Sequence, residues 1–151
     1  MESAPILKFS KWYQWDKRNE FIDKKYSGVY AIAISEMEID NHSFDWNDVS
    51  YIGMSHSSKG LEDRWSFLDN AIKGNSNGHH SGGKRIFNSL GPYDRWDKKM
   101  FVAAFAIRCD SNKNRRTPED LRKLGHVAYL EFEALAQCKE QTGKEPEYNK
   151  K

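Results

Sequence analysis

The sequence predicts an α/β protein of the α+β kind, in which a small, largely antiparallel sheet of three strands is flanked by helices. Three short runs rich in β-branched and apolar residues predict the strands: 29–34, 49–53 and 101–107. Two stretches with apolar residues at helical spacing, 57–73 and 117–138, predict the main helices. The resulting order, β-β-α-(α)-β-α, is typical of a mixed architecture with a small sheet.

The composition is that of a folded protein without a membrane-spanning segment. The chain has 151 residues, of which 38% are hydrophobic, 30% charged and 13% aromatic, and its mean hydropathy is −0.88. No apolar run approaches the roughly 20 residues of a transmembrane helix, and the first residues lack the apolar core of a secretory signal. Two cysteines, Cys109 and Cys138, form neither a disulfide framework nor a metal-ligand pattern. We therefore expect one domain over residues 1–151, located in the cytoplasm and without a membrane partner.

The N-terminal segment, residues 1–26, combines aromatic and basic side chains and has two interpretations. Stacking rings among cations are typical of a nucleic-acid surface, and the formal net charge of +2 is compatible with one. Large aromatic side chains are more often buried, however, so we favour docking of these rings on the core. The rings concerned are Phe9, Trp12, Tyr13 and Trp15.

Two insertions separate the predicted elements. The polar residues 36–48 connect the first two strands, which we expect to pair antiparallel. Residues 74–99 begin with a loop rich in Gly, Asn, Ser and His over 74–83. They continue with a short helix over 84–90, which ends at Gly91-Pro92.

The long helices carry N-terminal capping signals. Ser57 or Ser58 is predicted to cap the first helix, whose apolar positions are Leu61, Trp65, Leu68 and Ile72. Thr117 is predicted to cap the last helix, with Pro118 at the first helical position and two acidic residues in the first turn.

Glu131 stands near the middle of the apolar face of the last helix, whereas Glu133 points to the polar side. A carboxylate on a core face is unfavourable unless it is paired, neutralised or bound to a metal. Helix geometry alone leaves open a buried pair with Arg or Lys, a partly exposed face, and a functional role. The apolar residues that surround Glu131 at about 100° per residue are Leu121, Leu124, Val127, Ala128, Leu130, Phe132, Ala134, Leu135 and Cys138.

Other catalytic and ligand-binding motifs are weak or incomplete. Residues 78–85, GHHSGGKR, match most of a phosphate-binding loop, but Arg85 stands where Ser or Thr would bind Mg²⁺ and no apolar strand leads into the segment. We therefore reject nucleotide binding. His79 and His80 could be metal ligands, although adjacent histidines in a Gly-rich loop usually face solvent. Signatures of a thiol nucleophile and of a serine hydrolase are missing.

Two tripeptides on the first two strands, Gly28-Val29-Tyr30 and Tyr51-Ile52-Gly53, resemble the paired signature of the GIY-YIG nuclease family. That family includes homing, repair and restriction endonucleases. Its members carry an arginine on the next helix, a metal-binding glutamate on a later helix and then an asparagine. Arg64, Glu131 and Asn149 occupy these places here, so the resemblance spans about residues 27–149. The implied fold is a three-stranded antiparallel sheet flanked by helices.

The sequence departs from the family pattern at several places. The two tripeptide tyrosines are 51 − 30 = 21 residues apart, and Glu131 precedes Asn149 by 149 − 131 = 18 residues, which is longer than usual. Met54 follows the second tripeptide where lysine is frequent, although Lys59 or His56 could reach the same space. Leu68 stands one turn after Arg64, where Tyr or His is common.

The resemblance implies hydrolysis of phosphodiester bonds with one hard divalent cation, Mg²⁺ or alternatively Mn²⁺, on Glu131. Tyr51 would then deprotonate or orient the attacking water, and Tyr30 would orient the site. A phenol needs cations nearby to act as a base at neutral pH, and Arg64 and Lys59 are the candidates. Asn149 would tie the C-terminal segment to the site or cap a turn.

DNA, as a duplex, is the expected substrate of a restriction-type or mobile-element enzyme, and a homodimer would match a palindromic site. The alternative is a nucleic-acid-binding module that kept the scaffold but lost turnover, which Met54 and Leu68 favour. The expected DNA-contacting residues are Lys84, Arg85, Lys98, Lys99, Arg115 and Arg116.

Overall fold

The computed structural model describes residues 5–75 and 80–150. Within these ranges no helix is long and apolar enough to cross a membrane. His79, considered above as a metal ligand, lies outside the described residues, as do the ends of the predicted 1–151 domain.

Among the described residues the sheet has four antiparallel strands and not the three predicted from the sequence. The strands β1 (Tyr13–Gln14), β2 (Ser27–Ser35), β3 (Val49–Ser55) and β4 (Lys99–Ile107) lie in the order β1-β4-β2-β3. The additional strand β1 pairs Tyr13 with Val102 of β4. Two residues are too few for a periodic signal, so only the pairing with β4 makes them a strand. The expected antiparallel pairing of the first two long strands is confirmed.

In the described part of the chain, three α-helices flank the sheet: α1 (Gly60–Ile72), α2 (Ser81–Leu90) and α3 (Pro118–Thr142). The start of α3 is confirmed, because Thr117 and Asp120 form a reciprocal capping box there. It ends at Gly143, whose backbone is left-handed (φ 84°). Short 3₁₀ helices cover Trp15–Glu20, Trp46–Asp48 and Tyr93–Arg95.

The predicted starts of the other two helices need correction. Lys59, and neither Ser57 nor Ser58, is the residue before α1, and it makes no side-chain capping bond. The Ser57 hydroxyl instead donates to Asp63 at 2.8 Å, inside the first turn of the helix. Helix α2 begins at Ser81, three residues before the predicted start, because the His80 side chain caps it.

Two apolar layers cover the two faces of the sheet, because successive strand residues point to opposite faces. The α3 layer lies under α3 and contains mostly aliphatic side chains and alanines, among them Val29, Ala31, Ile52, Val127 and Leu130. The α1/α2 layer lies under α1 and α2 and is richer in aromatic side chains, among them Trp15, Tyr30, Tyr51, Trp65 and Leu68.

The N-terminal aromatic side chains dock on the core, as expected. Trp12 belongs to the α3 layer and Trp15 to the α1/α2 layer, and both are fully buried. The Trp15 indole N–H donates to Asp69 of α1 at 2.9 Å. These rings are therefore not available for stacking on bases.

Leu121 and Phe132 of α3 are exposed, at 48% and 61%, although the sequence pattern places them on the buried face. On the helix they lie at one edge of the apolar arc, about 80° and 100° from Glu131. The sheet covers the other side and the centre of the arc, which includes Leu130 and Leu135. The apolar arc of α3 is wider than the surface that the sheet can cover. One edge of the arc therefore remains in solvent.

Candidate active site

A cleft of about 470 Å³ opens at the β3 edge of the sheet, where the two layers meet. Tyr51 from the α1/α2 layer and Met54, which packs on the α3 layer, both line it. Helix α1 contributes Arg64 and helix α3 contributes Glu131. The remaining lining residues are Ser55, His56, Ser57, Asp63, Phe67 and Ser81.

Strand register brings the two tripeptide tyrosines together. Tyr30 lies opposite Gly53, and Tyr51 lies opposite Ile32, so both rings are on the α1/α2 side with their centroids 6.2 Å apart. A Cβ atom on Gly53 would stand 2.6 Å from the Tyr30 hydroxyl, and one on Gly82 of α2 would overlap the Tyr51 ring. Glycine at these two positions is therefore what makes room for the phenols.

His80 holds Tyr30 from the buried side of the site. The Gly83 N–H donates to His80 Nδ1 at 2.9 Å, so Nδ1 carries no proton. Burial, together with the charges of Arg64 and Arg85, lowers the pKa of His80 to about 3, so the ring is neutral. Its proton is then on Nε2, which donates to the Tyr30 hydroxyl at 2.8 Å.

Tyr30 in turn is hydrogen-bonded to two groups nearer the cleft. Arg64 donates to the Tyr30 oxygen, and the Tyr30 hydroxyl donates to Tyr51. Burial raises the pKa of Tyr30 well above its usual value, and it also raises the pKa of Tyr51. The charges of Arg64 and Arg85 and the bond from Tyr30 oppose this rise at Tyr51, whereas Glu131 adds to it. Both phenols are thus protonated at neutral pH.

Glu131 is 5% exposed and lies on the face of α3 that the helical pattern predicted, whereas Glu133 is half-buried. Its negative charge raises the pKa of both Tyr30 and Tyr51, and the positive charge of Arg64 lowers both. The structure therefore brings these four groups from four elements into one electrostatic cluster.

The donor chemistry of the cleft fits a hard divalent cation. Glu131 is a buried carboxylate on the cleft wall, and the other side-chain oxygens that line the cleft are those of Asp63, Tyr51 and three serines. In residues 5–75 and 80–150 no three His, Cys, Asp or Glu side chains form a metal-binding group. Mg²⁺ needs only one or two carboxylates when water and substrate phosphate complete its shell, so one carboxylate such as Glu131 would be enough to hold such an ion.

Asn149 fixes the outer edge of β3 beside Tyr51. Its Oδ1 accepts from the Ile52 N–H and its Nδ2 donates to the Ile52 carbonyl, both at 2.8 Å. The Tyr148 N–H donates to the Ser50 carbonyl at 3.0 Å. The backbone is thus held on both sides of Tyr51, and the expected tie between the C-terminal segment and the site is present.

Arg85 connects α2, the C-terminal segment and the site. Its Nε–H donates to the Tyr148 carbonyl at 2.7 Å, and its charge acts on Tyr51 and His80. The residue was expected on a DNA-binding surface, but it is half-buried behind the cleft. Arg64 and Arg85 are thus the cations that act on Tyr51.

Of the two residues expected to replace the missing lysine, the structure brings one to the cleft. His56 lines it, and its Nε2–H donates to the Leu124 carbonyl at 3.1 Å. Lys59 is exposed and lines a different depression, next to Lys25 and Glu62.

The expected DNA-contacting residues are spread over three places. Lys84 is exposed on α2, one turn after Ser81 at the cleft. Lys98 precedes β4, and Lys99 is its first residue and pairs with Ser35 at the end of β2. The cleft residue Ser55 pairs with Gly28 near the opposite end of β2, so these two lysines lie far from the cleft. Lys99 is also paired with Glu38.

The loop that carries Arg115 and Arg116 lies on the cleft side of the sheet, because Ser111 donates to the Ser57 carbonyl at 3.0 Å. Arg115 is exposed and bonded to Asp110, and Arg116 is half-buried. Contact of any of these six residues with DNA stays a prediction.

His80 is the site residue that sequence reasoning missed, and the expectation that it faces solvent is wrong. It is fully buried, because α2 packs against α1 and places its N-terminal end over Tyr30 and Tyr51. The one signal available is that Gly82 and Gly83, both needed for close packing, follow it after one intervening residue, Ser81.

Comparisons of the chain with protein-family models, with curated proteins and with solved structures found no match. Membership of the GIY-YIG family is accordingly a prediction that rests on the motifs and on the site they form.

Proposed function

We propose that this chain is a metal-dependent nuclease that hydrolyses phosphodiester bonds in DNA. The observation that carries the proposal is the cluster of Tyr30, Tyr51, Arg64 and Glu131 around one cleft. Each group is placed by a different element, and each has a part in phosphodiester hydrolysis.

The roles follow from the chemistry of the groups. A divalent cation held by Glu131 would supply positive charge for the phosphate oxygens and favour ionisation of a bound water. Arg64 presents a planar fork of donors that suits a phosphate, and in the transition state it stabilises the negative charge that develops. Tyr51, at the cleft wall, orients the attacking water and, in its phenolate form, accepts the water's proton. Its pKa is raised by burial, so Arg64 and Arg85 are needed to stabilise the phenolate.

Nucleic acid as the substrate is supported by the cations beside the cleft. The exposed Lys84 lies one turn along α2 from Ser81, and the loop with Arg115 and Arg116 borders Ser57. Lysine and arginine side chains beside a cleft that binds phosphate can contact the DNA backbone. Such contacts give DNA affinity that decreases as the salt concentration rises.

One observation favours the second candidate, a nucleic-acid-binding module without turnover. Met54 occupies the cleft wall at the position where lysine is frequent in the nuclease family, and Arg64 is the only Lys or Arg among the described residues lining the cleft. A binding module would retain DNA affinity with Mg²⁺ or EDTA and would cleave in neither.

The deciding experiment incubates supercoiled plasmid and branched DNA with the protein in Mg²⁺, Mn²⁺ or EDTA. We expect cleavage with either metal and none with EDTA. Replacing Glu131 by Gln keeps the size of the side chain but removes its charge, so the rate should fall by roughly 10²- to 10³-fold or more.

The matched control is Glu133→Gln, two residues away on the half-buried side of the same helix, which should cleave at the wild-type rate. Thermal unfolding of both variants separates loss of chemistry from loss of fold. Full activity of Glu131→Gln, or equal cleavage in EDTA, would contradict the proposal.

A further inference from the structure

We propose that His80 is a positioning residue of this site, which sets the direction of the hydrogen bonds from Tyr30 to Tyr51. The inference rests on the proposed nuclease function and adds a residue that the sequence motifs do not contain.

The direction of the hydrogen bonds is fixed from the backbone outwards. A backbone N–H only donates, so the bond from Gly83 to His80 Nδ1 at 2.9 Å leaves the ring proton on Nε2. The Nε2–H donates to the Tyr30 oxygen at 2.8 Å. Arg64, which has no acceptor, donates to the same oxygen.

Two accepted bonds leave the Tyr30 hydroxyl with only its own proton to give, and it gives this proton to Tyr51. The Tyr51 oxygen is therefore the acceptor in its interaction with Tyr30. Its own proton is directed away from Tyr30 and is lost to solvent when Tyr51 ionises. The oxygen of the resulting phenolate keeps the donor from Tyr30 in place while it takes a proton from water. A ring of the opposite tautomer would accept from Tyr30 and turn this bond away from Tyr51.

The ring is rigid as well as oriented. His80 is fully buried, caps α2, and lies with its ring centroid 5.7 Å from that of Tyr51. A Cβ on Gly83 would stand 2.6 Å from the Ala71 side chain and 3.0 Å from that of Leu68, so the close approach of α2 to α1 depends on this glycine. No described residue other than His80 and Arg64 is seen to donate to Tyr30.

Two amide variants separate the capping role of His80 from its role at Tyr30. Asparagine places an amide oxygen near the position of Nδ1, so His80→Asn retains the cap on Gly83 but cannot reach Tyr30. Glutamine places an amide N–H near the position of Nε2, so His80→Gln retains the donor to Tyr30. We expect His80→Asn to lower the single-turnover cleavage rate by about 5- to 10-fold, the value of one hydrogen bond, and His80→Gln to restore most of it.

A second measurement does not depend on activity. Nitrogen NMR of the histidine-labelled wild-type protein at pH 7 should show His80 Nε2 protonated and Nδ1 unprotonated. DNA affinity in Ca²⁺ should be the same for wild type and both variants, because His80 does not reach the cleft.

The outcomes distinguish this inference from the function on which it rests. Absence of cleavage by the wild-type protein overturns the proposed function. Cleavage by wild type with an equal rate for His80→Asn, or an Nδ1-protonated ring, overturns the positioning role and leaves the proposed function standing. Should both variants fail to fold, the His80 tautomer that NMR measures in the wild-type protein still tests the positioning role.

Discussion

The two layers of this protein are built on the same strands but differ in what they contain. In the α3 layer, β2 contributes Val29, Ala31 and Ala33, which pack against aliphatic residues of α3 and make no side-chain hydrogen bond. In the α1/α2 layer, β2 contributes Tyr30 and Ile32, and buried polar atoms of Tyr30 and His80 are hydrogen-bonded.

The difference shows how one sheet separates packing from chemistry. Alternation along β2 sends every second residue to each face, so an apolar layer and a hydrogen-bonded phenol come from the same nine residues. Glu131 is the exception in the α3 layer, and it lies where α3 reaches the edge of the sheet beside the cleft. Substitutions in the two layers should accordingly have different kinds of effect.

The largest effect is expected for the phenol at the cleft wall. If Tyr51 accepts the proton of the attacking water, Tyr51→Phe should lower the single-turnover rate in Mg²⁺ by roughly 10²- to 10⁴-fold. Its pKa lies above the usual value, so below that pKa the ionised fraction grows as pH rises. The wild-type rate should therefore rise from pH 6 to 9, and this rise should be lost in Tyr51→Phe.

The matched variant for this prediction is Tyr30→Phe, which removes the donor to Tyr51 but not the group at the cleft. Only one of the hydrogen bonds of Tyr30, the one to Tyr51, acts on the group at the cleft, so we expect the activation free energy of cleavage to rise by about 1 kcal/mol. A larger loss for Tyr30→Phe than for Tyr51→Phe would exchange the roles of the two phenols.

Two helical glycines provide an intermediate test of the comparison. Gly82→Ala places a methyl group in the space of the Tyr51 ring, so the ring must shift and we expect the cleavage rate to fall about 10-fold or more. Gly125→Ala, on α3, meets open space and should raise the free energy of unfolding by about 0.5–1 kcal/mol without changing the rate. Rates and thermal unfolding curves of both variants check this contrast, and an unaltered rate for Gly82→Ala would contradict it.

The smallest effect is expected at the boundary between the layers. Asn149→Ala removes two hydrogen bonds to Ile52 and should lower the free energy of unfolding by about 1–2 kcal/mol, measured by urea denaturation. Asn114→Ala, in the exposed loop before α3, serves as the control and should change the free energy of unfolding by less than about 0.5 kcal/mol. Equal stabilities of the two variants would show that the C-terminal segment does not hold β3.

Much of the fold and part of the candidate site follow from local sequence patterns. The strands β2, β3 and β4 and the start of α3 are where alternation and capping residues predict them. The helical pattern likewise placed Glu131, and not Glu133, on the buried face of α3. The two-residue strand β1 and the exposed edge of the α3 arc were not predictable, because each depends on what a neighbouring element covers.

The site shows the same division, for a physical reason. The period of 3.6 along a helix is set within a few residues, so the sequence alone places Glu131 on the buried face of its helix. The two tyrosines stand on different strands, and it is the register of β2 against β3 that brings them to one face. The bond from His80 to Tyr30 spans 50 residues and the bonds from Asn149 to Ile52 span 97. Contacts of that range depend on how α2 and the C-terminal segment pack against the sheet, and no local pattern encodes that packing. The tertiary structure therefore decided that His80 is buried, that Arg85 and not Lys59 acts on Tyr51, and that the edge of β3 is closed.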